Sequence, residues 1–282
     1  MVHPKFRAPP GACDCHMHVF EDGYPLAPTA TFKPPHAPAS AYQAVQKQLG
    51  LERVVVVQAS GYGFDNACML AAMKTFGAGA RGVAVVQPDA PEAELERLTR
   101  LGVRGVRYFM LPGGVLGWDT LERVAARVRP FGWHVQLQLD GRELPHYRER
   151  LERLPVDLVI DHNGKFLEPV AVEHRAFQAL LGLLDSGRVW VKLAAPYETS
   201  KVGPPGYDDV SVLSRALVRR NPQRCLWASN WPHPNRNPQP SNAAMLDLLL
   251  DWAGDEETSR KILVDNPAQL YFKRGKSGSE PN

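Results

Sequence analysis

Ala12-Cys13-Asp14-Cys15-His16-Met17-His18 is a run of alternating side chains with two imidazoles two residues apart. A period of two marks a strand, because successive side chains leave opposite faces. Parity then predicts that Asp14, His16 and His18 share one face. Cys13, Cys15, Met17 and Val19 would share the other and pack on helices. Seven further β-like runs follow, at residues 53–58, 82–86, 102–109, 133–139, 156–161, 189–193 and 224–229. Between them lie amphipathic stretches with apolar residues three and four apart, such as 41–49, 91–101, 120–128 and 177–184. Strand and helix in alternation argue for a parallel sheet with crossover helices. Eight such units in 282 residues fit an α/β fold of the closed (β/α)8 TIM-type barrel kind better than an open doubly wound sheet. No Gly-x-Gly-x-x-Gly follows the first strand, which weakens a dinucleotide-binding alternative. The whole chain, 1–282, reads as one domain with a polar N-terminal segment and a polar tail, 273–282, expected to fray.

Composition narrows the function classes. The chain has 33 Lys plus Arg against 30 Asp plus Glu, a formal charge of +3, with 44% hydrophobic and 22% charged residues. That balance is ordinary for a globular protein and leaves no basic stripe for nucleic acid. Val54-Val55-Val56-Val57 is strand-sized, far short of the roughly 18 apolar residues of a membrane span. The first ten residues hold no apolar stretch of a secretory signal. The four cysteines, Cys13, Cys15, Cys68 and Cys225, sit in apolar segments, so buried free thiols in a reducing, cytoplasmic compartment are expected. Nothing in the sequence specifies an oligomeric state.

Polar residues gather where the strands would end. Gln136, Gln138 and Asp140 alternate with Val135, Leu137 and Leu139 in the fifth run. His162 follows Leu158-Val159-Ile160, and Asn230 follows Leu226-Trp227-Ala228-Ser229. Pro-rich loops at 24–38 and 231–240 follow the first and eighth strands. Barrel enzymes build their sites from loops at these carboxyl ends. A lone strand histidine is usually a hydrogen-bonded core residue, but His16 and His18 together could grip one ion or polarise one carbonyl oxygen.

Asp14-Cys15-His16-Met17-His18-Val19-Phe20 resembles the first-strand Asp-x-His-x-His motif of the amidohydrolase superfamily. The pattern is most similar to the subgroup of 2-pyrone-4,6-dicarboxylate lactonase and D-galactarolactone isomerase. The likeness runs from 12 to 271. It includes Val57-Gln58-Ala59-Ser60 with Asp65-Asn66, Arg104-Gly105-Val106-Arg107, Ile160-Asp161-His162-Asn163-Gly164-Lys165, Asn230-Trp231-Pro232-His233 and Asn266-Pro267-Ala268-Gln269-Leu270-Tyr271. The resemblance implies a distorted barrel, of carbohydrate or aromatic-acid catabolism, acting on a small anionic lactone without an obligatory metal. The lactonase's water-activating Asp in the eighth strand is Asn230 here. The isomerase resembles this chain in that Asn, in Leu111-Pro112-Gly113-Gly114 and in Tyr197-Glu198-Thr199-Ser200. The intact Asp14-Cys15-His16 is more similar to the lactonase.

On this resemblance His16, His18 and His162 would surround the lactone carbonyl, with Asn230 beside them as the fourth catalytic position. Arg107, Lys165 and Lys192 would hold carboxylate oxygens, a rim salt bridge being the plainer alternative for Arg107 and Lys165. Gln58, Ser60, Asn66, Tyr197 and His233 would complete the substrate contacts. A neutral amide cannot take a proton from water, so activation would fall to His162, Asp161, His233 or the substrate itself. Hydrolysis is the first expectation. Intramolecular lactone isomerisation is the second, because a held hydroxyl replaces basicity with proximity. A non-catalytic barrel binding acidic sugar lactones is the third. His16, His18 and His162 could ligate Zn²⁺ or Mn²⁺, but the seventh strand ends Lys192-Leu193-Ala194-Ala195 and the eighth gives Asn230, so no metal is expected as a requirement.

Overall fold

The alternation resolves, in a computed structural model that describes residues 3–273, into eight parallel strands in the order β1 to β8. They are β1 Cys13–Met17, β2 Arg53–Val57, β3 Ala80–Ala84, β4 Val103–Phe109, β5 His134–Gln138, β6 Leu158–Ile160, β7 Val189–Leu193 and β8 Cys225–Trp227. The helices are α1 Ala39–Leu49, α2 Ala67–Phe76, α3 Glu92–Arg100, α4 Leu121–Val128, α5 Leu144–Glu152, α6 Arg175–Asp185, α7 Asp208–Arg220, α8 Asn242–Ala253 and α9 Glu256–Arg260. The eight-stranded (β/α)8 architecture is the one the sequence calls for. β3 starts two residues before the expected Gly82. Its start contains Arg81, a half-buried charge whose guanidinium lies 4.5 Å over the Phe272 ring. None of the helices described is long and apolar enough to cross a membrane. Of the tail expected to fray, only Lys273 lies within the described residues. The N-terminal segment is anchored: Phe6 is buried and its N–H donates to Asp247 of α8 at 3.0 Å.

Parity sorts most strands cleanly. Val54 and Val56, Leu158 and Ile160, and Val189, Val191 and Leu193 pack on the helices. Val55, Val57, Val159, Trp190 and Leu226 fill the lumen. Each such apolar side chain removed from water contributes roughly 1.5–3 kcal/mol.

β1 breaks the rule. Asp14 pairs with Val54 but Met17 with Val56, so one extra residue is inserted between them. Such a bulge turns the phase of a strand. Cys13 and Cys15 therefore face the lumen among Val55, Trp190 and Leu226, with Tyr271 of the C-terminal segment beside them. The expectation that the cysteines lie on the face opposite the histidines is corrected: they pack beneath them. All four cysteines are buried and free.

Asp14 is correspondingly turned toward α1. Its carboxylate accepts from Tyr42 Oη (2.8 Å), the Ser229 N–H (3.0 Å), the Ser229 hydroxyl and the His16 N–H (3.1 Å). It closes the barrel. No β8–β1 ladder forms, and the seam is held instead by the Asn230 N–H on the His16 carbonyl (2.9 Å) and the His18 N–H on the Trp231 carbonyl (2.8 Å). His16, His18 and Asn230 are thereby fixed to one another through the main chain.

Candidate active site

Above the apolar lower lumen lies a layer of fully buried polar groups: His16 from β1, Gln136 from β5, Lys192 from β7 and Asp161 just after β6. The His18 Nδ1 stands 2.8 Å from the Val57 carbonyl, so that nitrogen carries the proton. His18 Nε2 is then an acceptor, and His16 Nε2, 3.1 Å away, must donate to it. This leaves His16 Nδ1 as an acceptor. It suits the Lys192 ammonium at 3.3 Å, and it makes the 3.3 Å approach to Asp161 Oδ1 a proximity and not an ion pair. Lys192 also reaches Asp161 Oδ1 (3.4 Å) and Gln136 Oε1, while Gln136 Nε2 donates to Asp161 Oδ2 (3.0 Å). Burial, followed by the field of Lys192, pushes His16 well below the usual imidazole range. Burial alone would raise Asp161, but Lys192 leads the charges that hold it below its usual value. The ammonium is the hub of this layer.

Directly above is a cavity of about 410 Å³ at the carboxyl ends of the strands. This is within the roughly 300–1,000 Å³ usual for small-molecule sites. Its wall includes His18, Ser60, Arg107, Gln138, His162, Lys165, Glu198, Asn230 and Arg236, with Phe20, Phe32 and Phe109 as apolar faces. Arg107 is buried. Its Nη atoms donate to the Gln58 carbonyl (2.8 Å) and Gln138 Oε1 (3.0 Å), its Nε has no partner, and no described carboxylate forms an ion pair with it. Burial draws its pKa down to about 10, so it remains charged at neutral pH.

His162 sits in a tight turn after β6 in which His162, Asn163, Gly164 and Lys165 all have positive φ. Three of these four are not glycine, an uncommon arrangement that the surroundings must enforce. Asn163 does so, donating to the Ala194 carbonyl (2.8 Å) and accepting from Ser214 Oγ (2.9 Å). Gly164 is required: a Cβ there would lie 2.7 Å from Phe166 and 2.8 Å from Leu180. The turn aims His162 at the cavity, its ring centroid 4.9 Å from that of His16, with a buried Nδ1 that has no partner. Burial holds this imidazole neutral.

Asn230 also has positive φ, a conformation Asn tolerates better than most residues. Its Nδ2 donates to Tyr197 Oη (2.9 Å) and Glu198 Oε1 (3.0 Å). Tyr197 Oη meets His233 Nδ1 (2.8 Å), and His233 Nε2 meets Asn242 Oδ1 (2.8 Å). Lys165 forms an ion pair with Glu198.

The expected site residues thus divide. His18, His162, Asn230, Arg107, Lys165 and Ser60 line the cavity. His16 and Lys192 lie beneath it, so three imidazoles do not ring one carbonyl and Lys192 is occupied by Asp161. Tyr197 and His233 support Asn230 from behind. Gln58 gives its Nε2 to the Gly63 and Asp65 carbonyls, its Oε1 being without a partner, and Asn66 ties the Phe64 and Val85 backbone; neither lines the cavity. The rim salt bridge holds for Lys165 and not for Arg107. Glu198, Gln138 and Arg236 were missed as site residues. Gln138 carries a signal in the polar alternation of the fifth run and Glu198 within Tyr197-Glu198-Thr199-Ser200; Arg236 carries none.

A metal site is possible here, but with a different donor set from the three histidines: His16, Asp161 and His162 each bring one ligand atom within 4.8 Å of the others. The Lys192 ammonium contacts two of these three residues. A divalent ion would have to share their lone pairs with it, against its charge. The donors as they stand therefore fit an ammonium better than an ion.

Residues 13–273 match the amidohydrolase family. The chain is 34% identical over 273 residues to D-galactarolactone isomerase of Agrobacterium fabrum, covering 95% of this chain and 93% of that one. It is 36% identical over 282 residues to a 2-pyrone-4,6-dicarboxylate hydrolase of Comamonas testosteroni, covering 95% and 92%. The crystal structure of an apo Agrobacterium tumefaciens protein superposes with a TM-score of 0.90 at 33% identity, covering 96% of this chain and 99% of that chain. By site, fold and sequence, the chain belongs to the amidohydrolase family, as a relative of lactone hydrolases and a lactone isomerase.

Proposed function

We propose that the protein transfers the acyl group of a small, carboxylate-bearing lactone to a hydroxyl of the same molecule, moving the ring without consuming water. Arg107 carries the reading. A buried guanidinium with no protein carboxylate is costly unless a ligand supplies one. Its planar fork suits a substrate carboxylate. With the anion held there, the lactone carbonyl falls on the wall formed by His18 and His162. His18 already donates its Nδ1–H to the Val57 carbonyl, so the unspent imidazole is His162. It would donate to the oxygen that gains charge as the carbonyl is attacked. At position 230 stands an amide whose N–H groups are committed to Tyr197 and Glu198, and it cannot accept a proton. A bound hydroxyl then competes with water through its proximity to the carbonyl.

Hydrolysis, the first expectation from the sequence, becomes the second reading, favoured by the retained His16–His18 pair and by the named hydrolase among the relatives. In either reading no resident metal is needed, because Lys192 supplies the positive charge between His16 and Asp161. Incubation with a panel of carboxylate-bearing lactones, followed by NMR, tests the proposal. A lactone with a shifted ring is expected. An open-chain hydroxy acid would favour hydrolysis, and binding without conversion would favour the non-catalytic barrel.

A further inference from the structure

Glu198 is the one carboxylate among the described residues that lines the cavity. It ends a short turn that begins at Ala195, where φ is 49°, and its side chain is 14% exposed. The turn is held from both sides: the Glu198 N–H donates to the Ala195 carbonyl (3.0 Å), and Arg236 donates to the Glu198 carbonyl (2.9 Å). One carboxylate oxygen accepts from Asn230 Nδ2, and the other meets the Lys165 ammonium. One hydrogen-bond donor and one cation hold the carboxylate and fix its direction. The group thus faces the same space as His162 and Arg107, as a base held by the residue that stands where a base would otherwise be sought.

We infer that Glu198 is the proton-transfer residue of the site and that Asn230 is its positioning residue. This rests on the lactone reading and adds the step that reading leaves open. As the substrate hydroxyl oxygen bonds to the carbonyl carbon, its proton passes to the Glu198 carboxylate. The tetrahedral oxyanion faces His162. Collapse breaks the original ring C–O bond, and Glu198 returns the proton to the departing alkoxide. One C–O bond forms, one breaks, and enzyme and proton are restored without a co-reactant. Lys165 balances the charge on Glu198 before and after transfer.

Glu198→Gln keeps the shape and the contact to Asn230 but cannot accept the proton. Its kcat should fall by about 10²–10⁴-fold, with KM little changed and the acidic limb of the kcat–pH profile abolished. Glu198→Asp should recover part of the rate and retain that limb. Should Glu198→Gln fail to fold, the profile of Glu198→Asp decides: a retained limb with reduced kcat supports the inference, and a lost limb overturns it. A folded Glu198→Gln with the parental kcat, or with only KM raised, would make Glu198 merely the counter-ion of Lys165 and overturn the inference while leaving the lactone reading intact. A wild-type protein inert toward every lactone overturns that reading first, and this inference with it.

Discussion

The layer of His16, Gln136, Asp161 and Lys192 is closed on itself, whereas the layer above it opens onto the cavity with atoms to spare. Below, each charge meets its complement inside the protein: Lys192 with Asp161, Gln136 with both, His16 neutral between them. Above, Arg107 is charged without a counter-ion, His162 has a buried nitrogen without a partner, and Asn230 and Lys165 converge on one carboxylate. The same residue types do opposite work. The closed layer fixes geometry, and the open one leaves contacts for a ligand to complete. A stability argument accounts for the first and fails for the second.

Both layers share one trait, which acid should expose with the largest effect. Burial draws His18 of the open layer to about 3, pushes His16 of the closed layer well below its usual range, and takes His233, behind Asn230, to about 4. Unfolded imidazoles titrate near 6.5. Each folded pKa is depressed, so stability is whole above about 6.5 and drains away as pH falls below it toward 4, where the unfolded chain binds protons the folded chain refuses. Urea midpoints should drop steeply between pH 7 and 4. A flat profile would mean that these rings are charged in the folded protein.

Lys192→Met should break the closed layer alone. It strands the Asp161 carboxylate, at a cost of about 3–5 kcal/mol in unfolding free energy. A midpoint equal to the parent's would show that the ammonium is not the hub. Arg107→Lys probes the open layer and should act chiefly on ligand binding. It keeps the charge and loses the fork, weakening carboxylate binding by about 1.5–3 kcal/mol, as read in KM or by calorimetry. Unchanged binding would remove Arg107 from the anion site. The smallest effect is expected from Asn66→Ala, which frees the Val85 N–H and costs about 1–3 kcal/mol of stability with kcat/KM intact. A large rise in KM would return Asn66 to the substrate.

Eight strand–helix units were legible because barrel strands are short, β-rich and separated by amphipathic helices. The ends of those strands drew attention to His18, Arg107, His162 and Asn230, which the structure places on the cavity wall. What parity could not reveal was the bulge in β1, since an extra residue leaves no mark in the alternation itself. It sent Cys13 and Cys15 inward and Asp14 toward Tyr42. Residue type alone does not separate two uses at Gln58 and Asn66, where an amide suited to a hydroxyl serves a loop carbonyl equally well. Glu198 stayed hidden for a related reason. Its place depends on a left-handed turn at Ala195, which an alanine does not announce, and on contacts from Asn230 and Lys165, both distant in the chain.

The account turns on where the attacking oxygen comes from. Turnover of a carboxylate-bearing lactone in H₂¹⁸O, followed by mass spectrometry and NMR, reads it directly. A shifted lactone free of ¹⁸O is the predicted product, because the nucleophile is the substrate's own hydroxyl. An ¹⁸O-labelled open-chain hydroxy acid as the main product would contradict the account and assign the cavity to hydrolysis.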